Sequence, residues 1–188
     1  MARWTAQGLA IGCVSINAAP AEFLRDDYAE HLLSAISRFG IDPRTVEVEV
    51  TEQVFAERGG DYVRRALHRL HGEGVRISLD DFGTGYSSLS HLRDFPVDVV
   101  KVDRSFVQQV IDKSEIAAIA KAVSHLCTSL GIEVVAEGVE TEAQATWLMK
   151  HGFTSAQGFL YSRPAPAKEL PAFLMKHVPR LLAGLQHA

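Results

Sequence analysis

Val75-Arg76-Ile77-Ser78-Leu79-Asp80-Asp81-Phe82-Gly83-Thr84-Gly85 contains the change of character that decides the fold. Aliphatic residues at alternate positions give way to two adjacent carboxylates and then to a glycine-rich turn. The period-two run reads as a β-strand. Gly83 and Gly85 permit unusual backbone angles, and the Thr84 hydroxyl can brace a loop. Adjacent side chains at a strand end point in different directions, so the two aspartates are expected to reach two different ions. Taken alone, they can also be read as solvated turn residues, the second capping a helix.

The same arrangement recurs outward in both directions. β-Branched runs occur at Ile11–Ile16, Val46–Val50, Val97–Val102 and Ile132–Ala136, with a weaker one at Ala156–Leu160. Between the runs, Ala21–Arg38, Asp61–Glu73, Ser114–Leu130 and Thr141–His151 carry apolar residues at helical spacing. Gly40, Gly72, Gly74, Gly131 and Gly152 mark the helix ends. A βαβα alternation predicts a parallel sheet with right-handed crossovers.

What the strands carry at their ends separates an open sheet from a barrel. Asn17, Glu49, Asp80 with Asp81, Lys101, Glu137 and Gln157 each sit at or near the end of a run. An open sheet gathers chemistry only at its switch point, whereas a parallel barrel opens every strand end onto one face. Six such ends predict a TIM-type (β/α) barrel. The ends recur about every 28 residues, so eight units would need about 224, near the roughly 250 of this fold. With 188 residues, the barrel is expected to be incomplete, with about six units and the first two strands missing.

The composition suits one globular domain, 47% hydrophobic and 22% charged. A net charge of -4 without a basic run argues against binding duplex nucleic acid. It leaves room for a phosphate ligand held through bound cations. Cys13 and Cys127 have no metal or redox spacing and read as reduced core thiols. No signal-like or membrane-spanning run occurs, so a cytoplasmic domain is expected.

In Glu47-Val48-Glu49-Val50-Thr51-Glu52, alternation places Glu47, Glu49 and Thr51 on one face. An acidic face inside a barrel needs cations or hydrogen bonds; an edge strand with that face in water is the alternative. Asn17 offers a neutral carbonyl oxygen to a hard cation, or is a turn residue. Lys101 could pair with Asp103, or orient a water and steady phosphoryl charge. Glu137 ends its run beside Gly138, and Gln157-Gly158 repeats that arrangement with an amide. No histidine has H-E-x-x-H spacing, so a zinc hydrolase is not indicated. Oxygen ligands at several strand ends point to Mg²⁺ or Mn²⁺, and two such ions can clamp a phosphodiester.

Together these residues resemble the EAL family of cyclic-di-GMP phosphodiesterases. The matching segments are VSIN (14–17), EVEVTE (47–52), SLDDFGTGYSSL (78–89), VKVDRSFV (100–107), VVAEGVET (134–141) and AQGFLYSRP (156–164). The resemblance implies hydrolysis of cyclic di-GMP to linear pGpG with two metal ions. It implies Asn17, Glu49, Asp80, Asp81 and Glu137 as metal ligands, Lys101 as the group positioning the attacking water, and Gln157 as a contact to water or substrate. Glu52 would brace the loop of residues 82–89, including Thr84 and Gly85, which links dimerisation to the active site in this family.

Two departures stand out. The family stretch N-L-S-A-R-Q is here Asn17-Ala18-Ala19-Pro20-Ala21-Glu22. Residues 2–9 resemble the end of the helix before the third strand, so the E-x-L segment that names the family is expected to be missing. Residues 1–188 are thus expected to form a partial EAL domain, from the third strand to the C-terminal helix. A non-catalytic cyclic-di-GMP-binding or interaction module is the alternative reading. Open sheet edges favour a homodimer, and a GGDEF or sensory domain can accompany such a barrel.

Overall fold

The computed structural model describes residues 1–9, 11–23, 25–56, 60–83 and 89–175. Thr84 and Gly85 lie outside them. In chain order the elements are α1 (Ala2–Ala6), β1 (Val14–Asn17), α2 (Pro20–Phe23), α3 (Tyr28–Arg38) and, after a 3-10 turn at Pro43–Thr45, β2 (Val46–Thr51). There follow α4 (Gln53–Ala56), α5 (Gly60–Gly72), β3 (Arg76–Phe82), α6 (Leu89–Asp94), β4 (Val99–Val102) and α7 (Arg104–Val107). The described chain continues through α8 (Ser114–Leu130), β5 (Glu133–Ala136), α9 (Glu142–Lys150) and β6 (Ser155–Ala156).

The six strands form one parallel sheet in the order β1-β2-β3-β4-β5-β6. With helices in its crossovers the sheet curls into a half-barrel, the incomplete TIM-type architecture expected from the strand ends. Two predicted elements differ most in extent. The helix expected over Ala21–Arg38 is two helices, broken around Asp26-Asp27. Short acids compete with a helical backbone, and the break lets Phe23 and Tyr28 bring their rings to 4.7 Å from each other. The strand expected over Ala156–Leu160 is only Ser155–Ala156, because the chain turns away after Gly158.

Alternation along each strand divides the molecule into two environments. On β2, Val46, Val48 and Val50 are at most 2% exposed and pack with Ile36 of α3 and Leu67 and Leu70 of α5. Leu79, Val100, Val102, Val134 and Ala136 face Ala120 and Cys127 of α8 and Leu148 of α9. The apolar core therefore lies between the convex side of the sheet and the helices. The concave side carries the polar residues.

Helix ends keep these layers in register. Gly131 adopts φ 72 after α8. Its N–H donates to Thr128 O at 3.2 Å, and Ile132 N–H donates to Cys127 O at 2.9 Å. This is a Schellman closure, and it directs Ile132 into the core beside Cys127. At the start of α9, the Thr141 hydroxyl accepts from Gln144 N, while the Gln144 side chain accepts from Thr141 N. Thr141→Ala is expected to cost about 1 kcal/mol, as loss of such a cap does. Denaturant unfolding checks this, and an unchanged midpoint would refute it.

Cys13 is exposed rather than in the core, and both cysteines are free. Burial pushes the Cys127 thiol up to about 11. Among the described residues, no helix is long and apolar enough to cross a membrane.

Candidate functional site

The acidic pair departs from simple alternation. Leu79 pairs with Val100 and Phe82 with Val102, so β3 holds one more residue than β4 over this stretch. Asp81 takes φ 55, the left-handed region in which aspartate is better tolerated than most residues. A bulge re-aims the side chain that follows it. Oxygens of Asp80, Asp81 and Glu137 lie within 4.8 Å of one another.

Neighbouring strands complete the cluster. Lys101 on β4 is 5% exposed, with Nζ 2.7 Å from Glu137 Oε1, 2.9 Å from Glu49 Oε1 and 3.5 Å from Asp80 Oδ1. The expected alternative partner, Asp103, instead caps α7 by accepting from Ser105 N at 3.0 Å. Glu49 is 7% exposed and β2 has strands on both sides, which removes the reading of a solvated edge strand. Gln157 donates from Nε2 to Glu137 Oε1 at 2.5 Å. Glu52 is buried and accepts from Gly83 N at 3.2 Å, at the start of the loop it was expected to brace. Asn17 is exposed and is the register partner of Glu49 on β1. The structure thus brings Glu49, Asp80, Asp81, Lys101, Glu137 and Gln157 together and leaves Asn17 one strand to the side.

Four carboxylates face one ammonium, an excess of negative charge in a partly desolvated place. Asp80 Oδ1 is buried and has no hydrogen-bond donor among the described residues. Hard oxygen donors, surplus negative charge and an oxygen without a donor fit divalent cations.

Burial raises the Asp81 carboxyl above its ordinary value, and the charges of Asp80 and Asp103 add to the rise. Burial also raises Glu137, against the opposing hydrogen bond from Lys101. For Lys101, burial alone would depress the ammonium, but its bonds to Glu137 and Glu49 and the charge of Asp80 outweigh it and raise the pKa. A carboxyl raised in the folded state favours folding while protonated. The contribution of Asp81 and Glu137 is thus present below the ordinary value of about 4 and disappears as pH rises through the raised values. Protons and metal ions compete for these oxygens. Added Mn²⁺ is therefore expected to raise the melting temperature more at about pH 8 than at about pH 5. Thermal scans in Mn²⁺ and in EDTA check this, and equal increments at both values would refute it.

Beside the carboxylates opens a cleft of about 490 Å³, lined in part by Arg104, Gly138, Gly158, Phe159 and Arg163. The two glycines admit close approach. A Cβ on Gly138 would lie 2.5 Å from Arg104 Cβ, and one on Gly158 would lie 2.2 Å from Val139 O. Phe159 is 52% exposed, with the Arg163 guanidinium 4.5 Å above its ring. Sequence reasoning passed over Arg104, Phe159 and Arg163. Their signal was their place within VKVDRSFV and AQGFLYSRP, segments already singled out.

A second polar layer lies at the opposite end of the concave face. Ser15 donates to Glu47 at 2.9 Å, and Arg76 lies 3.7 Å from Glu47 and 2.6 Å from Glu133. These bonds tie β1, β2, β3 and β5 together beneath the site.

Residues 1–164 match the EAL domain family. The chain is 40% identical over 172 residues to the bifunctional diguanylate cyclase/cyclic di-GMP phosphodiesterase MucR of Pseudomonas aeruginosa, covering 92% of this chain and 25% of that protein. It spans about a quarter of the length of that curated relative. Among solved structures, the EAL domain of Mycobacterium smegmatis DcpA superposes with a TM-score of 0.88 at 39% identity, covering 93% of this chain and 78% of that one. A manganese and cyclic-di-GMP complex of Klebsiella pneumoniae BlrP1 gives 0.79 at 36% identity, covering 87% and 42%. A second complex of BlrP1 holds calcium.

Proposed function

Because the chain belongs to the EAL domain family, we propose that it carries the hydrolytic site of a cyclic-di-GMP phosphodiesterase, cutting the cyclic dinucleotide to linear pGpG with Mg²⁺ or Mn²⁺. The observation that supports this most is the convergence of Glu49, Asp80, Asp81 and Glu137 around Lys101, beside a cleft with an aromatic face. We propose that residues 1–188 form one such domain, the match to the family running over residues 1–164.

Glu49, Asp80, Asp81 and Glu137 would hold two divalent cations, with Asn17 supplying a neutral oxygen from β1. When bound, such ions supply Lewis acidity towards water and the phosphodiester. Glu137, held by Gln157 and Lys101, has one orientation and can keep an attacking water in place. Lys101 steadies charge on the phosphoryl oxygens as water adds in line to phosphorus and the ribose 3′ oxygen leaves. Phe159 and Arg163 offer a stacking surface to a base. Arg104 and Arg163 offset the acidic rim for an anionic ligand. Glu52 holds the backbone at Gly83, so a homodimer contact reaching the loop after Asp81 would be transmitted to the carboxylates.

Chromatography of cyclic di-GMP after incubation with the chain and Mn²⁺ tests the reading. Release of pGpG that EDTA stops is expected, and no product with metal present would overturn it. The segment after Asn17 favours one second reading, binding without cleavage. Glu22 accepts from Ala19 N at 2.8 Å, which puts a carboxylate near this strand end. Calorimetry showing metal-dependent binding of cyclic di-GMP by a chain that releases no pGpG would select that reading.

A further inference from the structure

Lys101 makes more ionic contacts than steadying phosphoryl charge requires. An ammonium has three N–H donors; this one hydrogen-bonds two carboxylates and lies within ion-pair distance of a third, all from different parts of the wall. They are Glu49 on β2, Asp80 on β3 and Glu137 after β5, at 2.9, 3.5 and 2.7 Å. The side chain is 5% exposed, so water supplies little alternative solvation for the charge. All three carboxylates belong to the cluster read above as a metal site, and Asp80 and Glu137 also have oxygens within 4.8 Å of one of Asp81.

We propose that Lys101 is a built-in counter-cation of the carboxylate cluster, holding Glu49, Asp80 and Glu137 together and competing with divalent ions for their oxygens. This rests on reading the cluster as a metal site. The ammonium makes it possible for the acidic strand ends to fold against one another, because four converging carboxylates without it would repel. The same contacts oppose metal loading. An arriving ion must share or displace an existing partner, which weakens its hold.

Three proteins test the inference: the wild type, K101M, and the double variant E49Q/K101M, in which one anion is removed along with the cation. Thermal unfolding is followed in EDTA and across a Mn²⁺ series at about pH 8. K101M is expected to melt several degrees below wild type in EDTA. It should also reach half of its metal-induced shift at roughly tenfold lower Mn²⁺, since one unit of opposing charge at contact range is worth at least that much. E49Q/K101M, with the wild-type charge balance, should recover most of the lost melting temperature. If K101M is unfolded in EDTA, folding restored by Mn²⁺ is the expected result and failure of that rescue overturns the inference. A wild type that shifts with Mn²⁺ and a K101M variant with an equal or higher midpoint overturn the inference alone. No Mn²⁺ shift in the wild type overturns the metal reading and the inference with it.

Discussion

Asp80→Asn is expected to lower metal-dependent hydrolysis of cyclic di-GMP by at least about 10²-fold in kcat/KM, the scale set by losing one positioned electrostatic group. Asp80 lies between Glu49 and Glu137 on adjoining parts of the wall, and its Oδ1 is buried with Lys101 as its near cation at 3.5 Å. The amide has almost the same shape but no charge, so the strand and its bulge should persist while an anionic ligand is lost. Repulsion among the carboxylates falls at the same time. The variant should therefore melt no lower than wild type in EDTA while gaining less from added Mn²⁺. This pairing separates a site defect from a folding defect. Near wild-type turnover, or a large fall in melting temperature in EDTA, would refute the assignment of Asp80 as a ligand.

Gly158→Ala is expected to have the largest structural effect of an added methyl group among the described glycines. The added Cβ would lie 2.2 Å from Val139 O, 2.3 Å from Val139 N and 2.8 Å from Val139 C. These are backbone atoms with little freedom to yield. Val139 N–H donates to Gln157 O at 3.0 Å, and Leu160 N–H donates to Val139 O at 3.0 Å. Separating the two segments would break those bonds and move Gln157 and Phe159 away from the site. A loss of about 2–3 kcal/mol, at the upper range of overpacking, is expected. Gln157 should at the same time lose its hold on Glu137. Denaturant midpoints and calorimetric affinity for cyclic di-GMP both report on this, and a variant unchanged in both would refute it.

Much of this architecture could be read from residue order. The hydrophobic periods located five strands within a few residues and the main helices, and the polar strand ends chose a barrel wall over an open sheet. What could not be read depended on partners distant in sequence or on one backbone angle. The convergence of Asp80 with Asp81 needed the bulge against β4, which is a property of pairing. The partner of Lys101 was sought two residues away at Asp103. It was found on Glu49 and Glu137, which are joined to Lys101 only by the curl of the sheet. The break between α2 and α3 falls at Asp26-Asp27, short acids that compete with the helical backbone, and apolar periodicity does not register it. Arg104 and Arg163 stand inside matched segments, but their place as the walls of a cleft depends on the fold.

The division of β2 into valines on one side and glutamates on the other reaches beyond folding. Along this strand even-numbered positions fill the core and odd-numbered ones lie on the polar face, Glu49 at the site and Glu47 in the layer beneath it. A substitution's consequence is thus decided by parity before its chemistry is considered. Variation at Glu49 can alter reactivity while the helices stay seated, and variation at Val46, Val48 or Val50 acts first through packing against α3 and α5. Two independently heritable messages are written on the same six residues. A lineage can revise one without erasing the other.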